Sequence, residues 1–223
     1  MRGEDHLSNT WKHIDLFHAF GKESPTYAHI PLILNPSGSK MSKRDEGASV
    51  ESYQRAGFLP EAVFNYLCLL GWTPKGDAEK MDRATLTAQF DPAEIHSSNA
   101  RFDMVKCQWF NAQYLRALSA EELLSSCRRF IEKAGYTIKD DAVAAAAVYS
   151  VKEKVSLLTE IPAWVHYFFR SDYPYEDDVM VKLKAKPENA TLLKAAADGF
   201  RTLTDWSEAT VQTAIEEEIG RAS

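Results

Sequence analysis

The sequence predicts a mostly helical protein that opens on the end of an α/β domain, and three observations lead there. Beyond residue 60, apolar residues recur with helical spacing in stretch after stretch, each bounded by capping or breaking residues. Ahead of them stands one short apolar run, residues 28–34, flanked by Pro25 and by Asn35-Pro36-Ser37-Gly38, as a buried strand entering a turn would be. A lone strand and helix leave backbone groups unpaired. The first ~40 residues are therefore expected to end a larger α/β domain whose other strands lie outside this chain.

Taken in order, the elements have local reasons. Over residues 8–20, Trp11, Ile14, Leu16, Phe17 and Phe20 fall at roughly helical spacing; Ser8, Asn9 and Thr10 offer capping oxygens, and Gly21 sits where a left-handed C-terminal cap belongs. The strand over 28–34 leads into Ser37-Gly38-Ser39-Lys40-Met41-Ser42-Lys43-Arg44, a small, polar, basic stretch that reads as an exposed loop. A helix over 61–70 starts behind Pro60 and closes at Gly71. Another covers 104–115. Ser119 and Glu122 form a capping box ahead of Leu123, Leu124, Cys127, Phe130 and Ile131. Helices over 141–158, 163–169, 190–203 and 207–219 complete the set, with the alanine-rich 142–147 simply a good helix former.

Bulk properties narrow the function classes. The 223 residues are 45% hydrophobic and 26% charged, ordinary for a globular protein. No apolar run approaches the ~18 residues of a membrane span. Met1-Arg2-Gly3-Glu4-Asp5 lacks the basic-then-apolar start of a secretory signal. Cys68, Cys107 and Cys127 are far apart and form no CxxC pair, so neither a structural zinc site nor a disulfide framework is expected. Free thiols fit a reducing cytoplasm. The net charge of −6 argues against holding nucleic acid by global electrostatics, though a local basic face is compatible with it.

Lys40-Met41-Ser42-Lys43-Arg44 carries the chemistry. Two ammonium groups three residues apart, on a loop rich in Ser and Gly, can wrap an anion from one side, while Met41 anchors the loop on apolar surface. That arrangement suits a triphosphate whose charge shifts during reaction. Taken alone, the same run also describes a solvated basic turn.

The surroundings make it specific. The pentapeptide is similar to the Lys-Met-Ser-Lys-Ser signature of class I aminoacyl-tRNA synthetases, in the Ser-Lys-Arg form typical of the glutamate and glutamine enzymes. Before it, Arg2-Gly3-Glu4-Asp5-His6-Leu7-Ser8-Asn9-Thr10 resembles the end of a Rossmann strand in glutamyl-tRNA synthetases, and Ala28-His29-Ile30-Pro31-Leu32-Ile33-Leu34 the strand leading into the loop. After it, Gly57-Phe58-Leu59-Pro60-Glu61-Ala62, Asn65-Tyr66-Leu67, Leu70-Gly71-Trp72 and Phe102-Asp103 with Lys106, Trp109, Asn111 and Tyr114 follow the same order. The likeness is dense over residues 1–118 and continues thinly through Val151-Lys152-Glu153-Lys154 and Tyr167-Phe168-Phe169.

The resemblance implies a reaction in which glutamate and ATP give glutamyl-adenylate, whose glutamyl group passes to the 3′ end of a glutamate-accepting tRNA. It implies Mg2+ with the ATP, and no zinc site. It gives Lys43 the charge that grows on the phosphates as pyrophosphate leaves, and Lys40, Met41, Ser42 and Arg44 the shaping and steering of the loop. Arg2 matches an arginine that holds the amino acid's carboxylate, and His6 a position beside the nucleotide. The all-helical remainder favours the bacterial type. Three pieces are expected: residues 1–37 as the end of a Rossmann catalytic domain, 38–118 as the loop and a helical domain contacting the tRNA stem, and 119–223 as the start of a helical anticodon-binding region. A His-Ile-Gly-His-type signature does not occur, so the chain alone is expected to be inactive. The alternative is a non-catalytic tRNA-binding or interaction module.

Other residues read more plainly. Glu4 and Asp5 are expected to bond backbone amides or cap the following helix rather than hold a metal. Trp109, Phe110 and Tyr114 are expected in the core rather than stacking on bases. Lys106, Arg116, Arg128, Arg129 and Lys133 are candidates for phosphate contacts or for a solvated face.

Overall fold

The computed structural model describes residues 1–42, 45, 47–76, 78–170, 176–186 and 188–221. They form two compact units, 1–171 and 172–223.

The first unit begins with a strand–helix–strand unit. β1 (Arg2–Gly3) passes through a 3-10 turn at Glu4–His6 into α1 (Leu7–Ala19), and the chain returns as β2 (His29–Ile30) parallel to β1, Arg2 opposite His29 and Gly3 opposite Ile30. β3 (Ile33–Leu34) pairs instead with β4 (Ala100–Arg101), again in parallel. The single strand expected over 28–34 is thus divided into two short ones. Pro31, which has no N–H to give a ladder, stands at the division. The capping expected of Ser8, Asn9 and Thr10 is also not made, because the helix already starts at Leu7 and has no side-chain cap. Thr10 Oγ1 instead lies 3.2 Å from the His6 carbonyl and 2.8 Å from His29 Nε2, tying α1 to β2. Gly21 does take the left-handed conformation, with φ +62°.

The helical body comprises α2 (Val50–Ala56), α3 (Pro60–Leu69), α4 (Arg83–Gln89), α5 (Met104–Ala117), α6 (Ala120–Lys133), α7 (Asp141–Ser150) and α8 (Ile161–Val165). Ser119 and Glu122 cap α6 reciprocally, each side chain on the other's backbone N–H at 3.2 and 2.9 Å. The helix expected to run to residue 158 stops at Ser150, and a 3-10 turn over His166–Phe168 replaces the end of the one expected over 163–169. The early stop has a tertiary cause. The Ser156 and Leu157 N–H groups turn to the Glu160 carboxylate at 2.8 and 3.3 Å, and the next two residues take distant partners: the Leu158 N–H donates to the Gly57 carbonyl at 3.0 Å, and Thr159 Oγ1 to the Ala56 carbonyl at 2.8 Å. Gly57, at φ +89°, has no room for a side chain there, since a Cβ would stand 2.7 Å from the Thr159 nitrogen.

Asn111 completes this junction. Fully buried on α5, it accepts the Leu59 N–H at 2.7 Å and donates to the Ser156 carbonyl at 2.5 Å. Around it one core joins Leu59 just before α3, Ala62 of α3, Leu115 of α5, Leu123, Cys127 and Ile131 of α6, Val148 of α7 and Val165 of α8. A second core of Tyr53, Phe58, Val63, Tyr66, Phe102, Cys107 and Phe110 lies beside it. Trp109 departs from its expected core position and is half exposed, while Phe110 is buried. Adjacent residues on a helix point about 100° apart, and only one of this pair faces inward. Tyr114 is partly buried, its hydroxyl donating to the Met81 carbonyl at 2.6 Å.

The second unit holds α9 (Asp177–Lys184), α10 (Glu188–Thr202) and α11 (Glu208–Arg221), of which the last two fall on expected stretches.

Candidate functional site

A hairpin carries the basic loop. Leu34 and Lys40 form an antiparallel bridge, the Asn35 N–H donates to the Ser39 carbonyl at 2.8 Å, and the Gly38 N–H closes the turn on the Asn35 carbonyl at 2.8 Å. Pro36 presets the turn and Gly38 supplies the left-handed residue, at φ +87°. The Met41 N–H reaches the Ile33 carbonyl at 3.1 Å, and its side chain packs against the core of Tyr53, Phe58 and Phe102. The anchoring role read for Met41 from its apolar character is what the structure shows.

Beyond Met41 an aspartate holds the chain. Asp45 accepts the Ser42 N–H at 2.6 Å and the Asn35 side-chain amide at 2.8 Å, and these two donors hold its carboxyl below the usual carboxylate range. Gly47, at φ +82°, presses against the Phe102 ring, and its carbonyl takes the Tyr53 hydroxyl at 2.7 Å. Both ends of the loop are therefore fastened to buried residues. Lys43 and Arg44, the other two cations named from the sequence, lie outside the described residues.

The remaining candidates sit across from the hairpin. Asp5, in the turn after β1 and expected to bond backbone amides or cap the helix, makes no side-chain cap on α1. It accepts from Lys40 Nζ at 2.6 Å, over 35 residues of sequence, and the ammonium holds its carboxyl below the usual range. His6 Nε2 stands 3.9 Å from the same carboxylate oxygen. Asp5 thus links two residues that the sequence reading named separately. Arg2 lies on β1, its N–H donating to the Ala28 carbonyl at 2.9 Å.

Between these parts opens a cavity of about 420 Å3, lined by Gly3 and Ile30 at the ends of the parallel strands, by Lys40, Met41 and Ser42, and by residues 47–50. Ligands of open α/β sheets bind at this end of their strands. Lys40 gives the cavity a cation, Ser42 and the Gly47-Ala48-Ser49 stretch give small polar backbone, and Met41 with Ile30 gives apolar wall. A second cavity of about 320 Å3, on the side of Phe64, Leu67, Trp72 and Phe90, is apolar and lacks charged groups. Among the described residues no group of His, Cys, Asp and Glu gathers in a way that could hold a metal ion.

Four of the five candidate phosphate-contacting cations are engaged within the protein. Lys106 pairs with Glu79 at 2.7 Å, Arg116 with Glu153 at 2.7 Å and Arg128 with Asp141 at 2.7 Å, and Arg129 donates to the Gln54 carbonyl at 3.0 Å.

Sequence reading missed Asp5, Asn35 and Asp45 as parts of the site. Asp45 had a local signal, the three-residue spacing from Ser42 at which an aspartate closes a turn on a backbone N–H. Asp5 had none, because its partner is distant in the chain.

Comparison with known proteins finds two families and several relatives. A family described as tRNA synthetases class I (E and Q), catalytic domain, matches residues 1–109, and one described as anticodon binding domain matches residues 112–221. A glutamate–tRNA ligase of Akkermansia muciniphila is 44% identical over 206 residues, 92% of this chain and 46% of that protein. One from Methylacidiphilum infernorum is 47% identical over 182 residues, 81% of this chain and 41% of that protein. The crystal structure of a glutamate tRNA ligase from Elizabethkingia meningosepticum in complex with its amino acid matches with a TM-score of 0.82 at 27% identity, over 99% of this chain and 47% of that one. The chain spans somewhat less than half the length of these relatives.

Proposed function

We propose, for a chain that belongs to the class I tRNA synthetases of the glutamate and glutamine group, that it forms the loop-bearing part of a glutamate–tRNA ligase. The observation that supports this best is the hairpin itself. Its cation, Lys40, stands at a cavity on the ends of two parallel strands, and its backbone is fixed from below by Met41, Asp45 and Gly47. Residues 1–37 serve as the end of the catalytic domain, 38–118 as the loop and stem-contacting helices, and 119–223 as the start of the anticodon-binding helices.

In this reading ATP places its triphosphate against the loop. The glutamate carboxylate attacks the α-phosphorus and the bond to pyrophosphate breaks; the glutamyl group then passes to the 3′ end of a glutamate-accepting tRNA as its bond to the phosphate of AMP breaks and AMP leaves. Lys40 draws the phosphates in, and Lys43 faces the charge that grows on the departing pyrophosphate. Ser42 and Arg44 shape the loop and steer the phosphates along it. Arg2 offers the planar fork of donors that suits the carboxylate of L-glutamate. His6 lies beside the nucleotide. Mg2+ arrives with ATP, carried on its phosphates. A cytoplasmic site of action belongs to the same proposal; no helix among the described residues is long and apolar enough to cross a membrane.

The test is glutamate-dependent exchange of labelled pyrophosphate into ATP by the full-length ligase. Lys43→Ala is expected to slow exchange on the order of a hundredfold, the effect of removing one preorganised group that faces developing charge, while the KM for glutamate moves little. Lys43→Arg is expected not to restore the rate fully, because a guanidinium does not replace a compact ammonium. Unchanged exchange in Lys43→Ala would remove the loop from the reaction. The 223-residue chain by itself is expected to sustain no exchange.

A further inference from the structure

We infer that Asp5 is a positioning residue that competes with the nucleotide's phosphates for Lys40, so that breaking the Asp5–Lys40 pair is part of admitting ATP. The inference rests on the proposed function and adds to it a residue that sets how tightly ATP is held.

The geometry leads there in three steps. Lys40 Nζ and Asp5 Oδ2 are 2.6 Å apart, a charge-assisted hydrogen bond that joins the loop to the turn behind β1. Lys40 also lines the cavity beside Gly3, so the ammonium that meets Asp5 is the one available to a phosphate entering there. A phosphate oxygen accepting from the same ammonium would lie within roughly 5 Å of the Asp5 carboxylate, where two like charges repel. The Asp5 carboxylate and a bound phosphate therefore disfavour each other at this ammonium. The lysine side chain is 53% exposed and that of Asp5 35%, so water can take over from either partner as the exchange proceeds.

The pair is exposed, and its strength is correspondingly modest. Exposed ion pairs shift an equilibrium by about two- to fivefold, and that is the expected size of the effect on ATP. A contact of this strength opens readily for a triphosphate yet keeps Lys40 from pairing at random while the site is empty.

Two readouts test it, with Asp5→Asn and Asp5→Glu. In the 223-residue chain, the rate at which acetic anhydride acetylates Lys40, located by mass spectrometry, reports whether the ammonium is held. In the full-length ligase, pyrophosphate exchange gives kcat and the KM for ATP and for glutamate. Asp5→Asn is expected to speed acetylation of Lys40 severalfold and to lower the KM for ATP about two- to fivefold, with the KM for glutamate unchanged. Asp5→Glu, which keeps the charge, is expected to restore wild-type behaviour in both. Unchanged acetylation in Asp5→Asn would show that the pair does not hold Lys40, and would overturn the inference. So would faster acetylation with an unchanged or raised KM for ATP, which would make Asp5 a support for Lys40 rather than a competitor. Absence of exchange in the wild-type ligase would overturn the ligase reading and the competition together, and acetylation would still decide the ion pair.

Discussion

Helices α1 and α6 are nearly equal in length, 13 and 14 residues, and both carry apolar residues at helical spacing. In α6 the apolar face is buried: Leu123, Leu124, Cys127 and Ile131 all lie in the core. In α1 only Thr10 is buried, while Trp11 is 70% and Leu16 55% exposed. The difference runs through the whole first unit. The helical body gathers the packing, and the α/β segment with its hairpin gathers the candidate chemistry. An amphipathic pattern thus states that a helix has a face to cover, without stating whether anything in the same chain covers it.

The contrast predicts where substitutions are costly. The largest effect on stability belongs to the junction inside the body. Asn111→Ala leaves the Leu59 N–H and the Ser156 carbonyl without partners and opens a small void, so a loss of about 3 kcal/mol is expected in chemical denaturation. A loss below about 1 kcal/mol would show that the two ends of the body are held together elsewhere.

Gly47→Ala comes next, at the boundary between the two regions. Its methyl would stand 2.5 Å from Phe102 Cζ and 2.9 Å from the Tyr53 hydroxyl, on a backbone at φ +82°. The expected cost is about 2 kcal/mol, part of it met by displacement of the loop. In the full-length ligase that displacement is expected to raise the KM for ATP more than that for glutamate. A proportional rise in both would place the damage in the fold rather than in the loop.

The smallest effect is expected in α1. Trp11→Ser in the 223-residue chain should change stability by less than about 0.5 kcal/mol, as at other exposed positions. A loss above about 1.5 kcal/mol would mean that the indole is covered in solution, and the contrast between α1 and α6 would fail.

What the sequence made legible follows the same division between local and distant causes. The α6 capping box, the Pro60 start of α3 and the turn at residues 35–38 rest on neighbours within a few positions, and all were readable. The strand pairs join residues 27 and 67 positions apart, and no local pattern announced them. α2 and α4, seven residues each, are too short to display a period. Residues 156–159 looked helical because their bonds to Gly57, Ala56 and Asn111 are invisible from nearby. Of the candidate site, Lys40, Met41 and Ser42 were named by composition and by resemblance, and all three line the cavity. Their fastening by Asp5, Asn35 and Asp45 became visible only once the hairpin was folded.

In the proposed ligase this loop, and not the helical body, receives the phosphates of ATP. Limited trypsin digestion of the full-length ligase with and without ATP tests it most directly. Cleavage after Lys40, Lys43 and Arg44 should be suppressed by ATP, because bound phosphates order the loop and occupy its cations. Cleavage after Lys133, the last residue of α6, and after Lys139, between α6 and α7, should be the same in both conditions. Equal cleavage of the loop with and without ATP would contradict the account.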